Sequence, residues 1–309
     1  MQQLKKHQHY VWKEYLKPWC LENKIYAYFK PSRKTILSTL DGVGQERFHY
    51  SLHEYSIEEE LILEEIVKKF TLPEVADINL DFYAAVTSYS KIKRALSNKN
   101  VPDNIQKELT KQLNFLQKNT IEDIHMRVES LGKNLIIANS INDLEILFNG
   151  ENRFVSFAFI SMQYHRTKKM RLAMHGLVKD IKYLNEKYSD LLAIVFAHNL
   201  AWALAFYQKC NIVLLKNETC TSLITADQPA INTKLHIKNE RGFVGEFELY
   251  YPLSPKHALL VQVKEKNEDN SIATRQMLIE EVIKYNQQIF DLSETFAFGM
   301  RDCIFPTEQ

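Results

Sequence analysis

Gln163 and Arg166 stand three residues apart where the apolar run Phe154–Met162 turns polar and cationic. On a helix, positions three and four apart share a face, so an amide and a guanidinium emerge together, with Met170 on the same side. A guanidinium is a permanent charge with a rigid fork of donors. In a semi-buried place it takes a carboxylate or a phosphate. Asp227 or Glu65 is the partner expected for it. Asp227 follows an apolar strand and precedes Pro229, so its carboxylate sits at a strand end on stiff, extended backbone. Glu58 and Glu65, seven apart, lie one above the other on a predicted helix. Two chemistries are open to such a set. Gln163, Arg166 and Asp227 could converge with Glu58 and Glu65 on a pocket where Glu58, Glu65 and Asp227 hold Mg or Mn for phosphodiester hydrolysis. The same groups could instead be an internal brace, with Asp227 capping its own turn and Arg166 in a buried ion pair.

The elements that must position these residues read as follows. Phe154–Met162 has no polar side, which predicts a helix buried all round and running on to about 171. Ser56 followed by Glu58 and Glu59 is a helix start, with a hydroxyl cap and acids in the first turn. Further helices are predicted over 79–96, 103–118, 120–131 and 141–148, with breaks at 102–104 and 132–134. A buried helix follows over 191–207, where His198 between aromatics reads as a core residue with a backbone partner. Residues 24–29 and 35–39 read as a β-hairpin around Pro31. The last third supplies strands at 212–215, 222–225, 246–251 and 257–263, then a helix over 274–298. Runs of helix and runs of strand in separate segments predict an α+β fold. It is predominantly helical, with an N-terminal hairpin and a small antiparallel sheet near the C-terminus. One large domain over 1–309 is expected, with strands about 211–264 packed on a helical core about 56–207.

Composition narrows the class. With 45% hydrophobic and 25% charged residues, 17 Phe and 15 Tyr, the chain can fill a sizeable core. Lys+Arg 39 against Asp+Glu 38 lacks the basic excess usual in proteins that coat nucleic acid, though a local patch could still meet a phosphodiester. Cys20, Cys210, Cys220 and Cys303 are widely spaced, as expected of reduced thiols. Residues 1–7 show no signal-peptide core and no apolar run has the length of a membrane span, so a cytoplasmic location is expected. The G-x-S-x-G and H-E-x-x-H signatures are absent.

Several short motifs occur in one order along the chain. They are His9-Tyr10-Val11 with Tyr15-Leu16 and Trp19, Ile57-Glu58 with Glu65, and Gln163-Tyr164-His165-Arg166-Thr167. Trp202, Thr225-Ala226-Asp227-Gln228-Pro229, Pro252-Leu253-Ser254-Pro255 and Tyr285-Asn286 follow. Together they resemble the domain-of-unknown-function family DUF4238 over most of the chain. Trp12, Lys17 and Lys168 depart from it, standing where proline, arginine and proline are usual. Lys168 leaves a helix able to run past Thr167. The resemblance implies a bacterial protein and lends positions without a chemistry. His9, the one histidine in these motifs, becomes a candidate general base beside Gln163, Arg166 and Asp227. A nuclease-like hydrolase and a non-catalytic sensing or interaction protein both remain open.

Overall fold

The computed structural model describes residue 4 and residues 7–48, 50–97, 102–179, 186–237, 246–265, 267–301 and 305. Cys303 and most of the polar stretch after Lys179 lie outside them. The chain opens with β1 (His7–His9), α1 (Lys13–Leu16) and the antiparallel pair β2 (Lys24–Phe29) and β3 (Lys34–Thr39). Pro31 and the left-handed Arg33, at φ 53°, turn the chain between them. β4 (Gln45–Arg47) then pairs antiparallel with β1.

Helices follow. α2 (Ile57–Phe70) has a reciprocal cap: Ser56 Oγ accepts from Glu59 N at 3.1 Å, and the Glu59 carboxylate accepts from Ser56 N at 2.9 Å. After α3 (Ala76–Ser97), α4 (Asp103–Ile136) is one unbroken helix where two helices and a break at 132–134 are predicted. Gly132 is a contact point here, because an added Cβ would stand 2.2 Å from the Phe159 ring. Glycine at that turn lets a second helix come close. α5 (Ile141–Leu147) is capped by Ser140 and leads to that helix, α6 (Gly150–His165). The helix predicted to run to about 171 divides. Thr167 receives Met170 N on its hydroxyl at 3.4 Å and starts α7 (Lys168–Lys179) as a separate helix.

α8 (Ser189–Trp202) packs against α6 and ends in a π turn, Ala203–Tyr207. Among the described residues, Ser189–Tyr207 is the one helical stretch long and apolar enough to cross a membrane. Leu191, Ile194, Val195, Ala197 and Ala201 of this stretch lie in the core.

Two sheets make up the rest. The strands are β5 (Cys210–Lys216), β6 (Thr225–Ala226), β7 (Ile231–Asn232), β8 (Glu248–Ser254), β9 (His257–Val263) and β10 (Ser271–Gln276). α9 (Ile279–Leu292) and β11 (Phe296–Gly299) close the chain. The predicted helix over 274–298 is thus strand, helix and strand. One sheet runs β10-β5-β9-β8-β7 and is mixed, because β10 lies parallel to β5. The other runs β3-β2-β11-β6, so the N-terminal hairpin is widened by two strands from the last third of the chain. β5 is apolar at every central position because both faces are covered. Ile212 and Leu214 join the core with α6 and α8, while Val213 and Leu215 join Val282, Ile289 and Phe290 of α9. The architecture is α+β and predominantly helical.

Candidate functional site

Arg166 closes the C-terminal end of α6 with its side chain only 1% exposed. Nη1 donates to Glu129 Oε1 of α4 at 2.6 Å, Nη2 to the His9 carbonyl at 2.6 Å and Nε to the Tyr10 carbonyl at 3.3 Å. Burial opposes the guanidinium charge, but the neighbouring Tyr50 phenol and Glu129 outweigh it and hold its pKa above the ordinary value. Thr167 donates to the Gln228 side-chain carbonyl. The Gln228 amide in turn donates to the carbonyls of Tyr164 at 3.1 Å and Ala230 at 2.7 Å.

Asp227 faces another way. Its carboxylate accepts from the backbone amides of Glu294 at 2.8 Å, Thr295 at 2.5 Å and Phe296 at 2.9 Å. Asp227 N donates to the Phe296 carbonyl at 3.0 Å. The turn before β11 is wrapped around one carboxylate. Burial pushes the pKa of Asp227 up, and the three amides offset only part of that.

The same bonding joins other distant segments. Tyr15 donates to the Pro252 carbonyl at 2.7 Å and lies 2.6 Å from Thr225 Oγ1, while Trp19 Nε1 donates to the Leu223 carbonyl at 2.8 Å. Asn286 donates to the Ser222 carbonyl at 2.9 Å and accepts from Ile224 N at 3.0 Å.

The residues singled out from sequence therefore do not form one group. Arg166 pairs with Glu129, where Asp227 or Glu65 is the partner expected from sequence; Asp227 is engaged by backbone, and Glu65 pairs at the surface with Lys68. Glu58 is exposed beside Ser56, and the buried acid of α2 is Glu60, bound to Arg94. His9 serves Arg166 through its carbonyl. Gln163 is fully buried, and its amide makes no hydrogen bond among the described residues. Among those residues no three His, Cys, Asp or Glu side chains gather as a cation would need, Glu58, Glu65 and Asp227 included.

A family model described as "Protein of unknown function (DUF4238)" matches residues 7–302, nearly the whole chain. The chain belongs to this family. No curated protein and no solved structure matches it. In this DUF4238 protein several of the motifs that resemble the family are fastened to one another, 9–10 to 166, 15 to 225 and 252, and 167 to 228, and residues 222–224, just before one of them, are fastened to 286.

A small cleft borders the Arg166 belt. Tyr50, His125, His165, Arg166, Arg171 and Asp190 line a space of about 20 Å³, room for one water. His165 Nδ1 lies 2.9 Å from the Ser161 carbonyl, which fixes its proton there and leaves Nε2 as the basic nitrogen. Burial pulls its pKa down to about 4, so it is neutral at physiological pH. Arg171 grips Asp190 with two bonds, 3.0 and 3.2 Å. Sequence reading passed over Glu129 and this cleft. The available signal was Glu122, His125 and Glu129 at spacings of three and four on one face of α4.

Proposed function

We propose that this DUF4238 protein is a non-catalytic sensing or interaction protein of the cytoplasm, and that its motif residues form an internal brace. The observation that carries the reading is Arg166: its side chain is closed to solvent and its donors go to Glu129, His9 and Tyr10. Asp227 supports the same reading, since both its oxygens accept backbone amides. A substrate phosphate would have to displace these partners one by one and leave Glu129 buried without its counter-charge, at a cost of about 3–5 kcal/mol. The brace ties the helical part of the chain to its first and last strands.

The test is Arg166→Lys, which keeps the charge and loses the fork. A brace is expected to lose several degrees of melting temperature. A wild-type melting temperature with loss of a phosphodiester-cleaving activity would overturn the proposal.

One observation favours a second reading, a nuclease-like phosphodiester hydrolase. His165 offers an unprotonated nitrogen beside a water-sized space and two guanidiniums. In that reading a Mg or Mn ion would take most of its ligands from substrate and water. Cleavage of single-stranded DNA with Mn, abolished by His165→Asn, is its expected signature. Absence of cleavage by the wild-type protein sinks it.

A further inference from the structure

At the far end of the mixed sheet, the loop after β5 and the turn between β8 and β9 enclose a cavity of about 420 Å³. Three basic side chains line it: Lys216, Lys256 and His257. Lys216 and His257 are register partners across β5 and β9, which sets the imidazole beside an ammonium on one face of the sheet. Both lysines also press the His257 pKa down, after burial itself. Neither lysine forms an ion pair among the described residues, and the rim carboxylate, Glu218, accepts from the Gln276 amide at 2.9 Å. Two ammoniums and an imidazole against the single carboxylate in this lining, which is held at the rim by Gln276, leave the concave surface net positive, and such a field attracts and orients an anion.

The cavity is built. Asn217 is buried and donates to the carbonyls of Thr221 at 2.8 Å and Pro255 at 3.1 Å. Its side-chain oxygen accepts from Thr219 N at 3.1 Å and Thr219 Oγ1 at 2.7 Å, and its backbone N–H donates to the Lys256 carbonyl at 2.8 Å. Ser254 Oγ accepts from Lys256 N at 3.2 Å and His257 N at 3.0 Å. One asparagine and one serine thus fasten the two loops, so the backbone that carries the basic groups is in place without a ligand. That pre-organisation lowers the ordering cost of binding.

We infer that this cavity binds the phosphate group of a small phosphomonoester. Lys216 and Lys256 supply the ammonium donors and His257 a ring nitrogen. The volume falls in the range of small-molecule sites and exceeds what a bare phosphate fills, so the group attached to the phosphate sits in the same cavity. The assignment does not rest on the brace, because Lys216, Lys256 and His257 make none of its bonds.

The probes are inorganic phosphate and phenyl phosphate, titrated into the full chain while the His257 ring is followed by NMR. Phenyl phosphate is expected to saturate with a Kd at or below about 1 mM, to bind more tightly than inorganic phosphate and to raise the His257 pKa. Lys216→Gln combined with Lys256→Gln is expected to weaken it at least about tenfold, two charges being removed. Glu218→Gln, at an exposed position, is expected to tighten it. Should the double variant unfold, Lys256→Gln alone carries the comparison, since its side chain is exposed. No saturation, wild-type affinity in the lysine variants, or phosphate binding as tightly as its ester would overturn the assignment.

Discussion

The belt around Arg166 and the cavity around Lys216 hold similar groups in opposite circumstances. In the belt, Arg166 and Asp227 are closed to solvent, and each is met by acceptors or donors from distant segments. In the cavity, Lys216, Lys256 and His257 line one space with Glu218 at its rim, and neither ammonium has a partner among the described residues, while Asn217 and Ser254 hold the backbone. Charges that satisfy each other hold a fold together; charges that repel across a rigid space await a ligand. Being buried and polar is therefore a poor sign of a site in this chain. Being organised and unmatched is a better one.

The comparison can be broken most easily at Arg166. Arg166→Met strands Glu129 in the interior and should cost about 3–5 kcal/mol, read as a shifted denaturant midpoint. Asp227→Ala leaves the amides of 294–296 without an acceptor, at about 3 kcal/mol in the same assay. Acid is expected to act on two desolvated imidazoles, the buried His165 and the half-buried His198. Burial pulls both His165 and His198 down to about 4 from 6.5, and His198 lies against Asn79 at 2.7 Å rather than a backbone group. The unfolded chain therefore binds protons that the native state refuses, so their stabilisation is complete above pH 6.5 and lost as pH falls towards 4. The slope is about 1.4 kcal/mol per pH unit for each imidazole, measurable by urea melts across that window. Gly132→Ala gains about 1 kcal/mol of helix propensity but drives a methyl into the Phe159 ring, and a net loss of about 1–2 kcal/mol is expected in thermal melts. The smallest effect is set at the cavity. Lys256→Gln should change stability by no more than about 0.5 kcal/mol, because its side chain is exposed and its ammonium has no bond among the described residues. A large loss there would erase the contrast between the two regions.

Local chemistry made much of the fold legible before any coordinates. The hydroxyl and acids at Ser56–Glu59 announce α2, and the side-free apolar run at Phe154–Met162 announces the buried helix α6. Errors arose where a distant partner decides. Gly132 reads as a break because glycine lowers helix propensity, yet the Phe159 ring requires it within a continuous α4. Thr274-Arg275-Gln276 has no strand pattern and becomes one by lying along Leu214, Leu215 and Lys216 of β5. Residue type marked Arg166 and Asp227 as needing partners. It could not name Glu129 or the amides of 294–296, because nothing in local spacing encodes which remote segment arrives. The cavity was invisible for the same reason: Lys216 and Lys256 are ordinary lysines until β5 and β9 pair.

The central claim, that Arg166 and Glu129 exist for each other, is tested most directly by a double-mutant cycle in urea with Arg166→Met and Glu129→Leu. Each single change is expected to destabilise strongly, and the double variant to recover much of the loss, since two apolar groups replace a buried pair at little net cost. Additive losses, or an Arg166→Met protein as stable as wild type, would contradict the account.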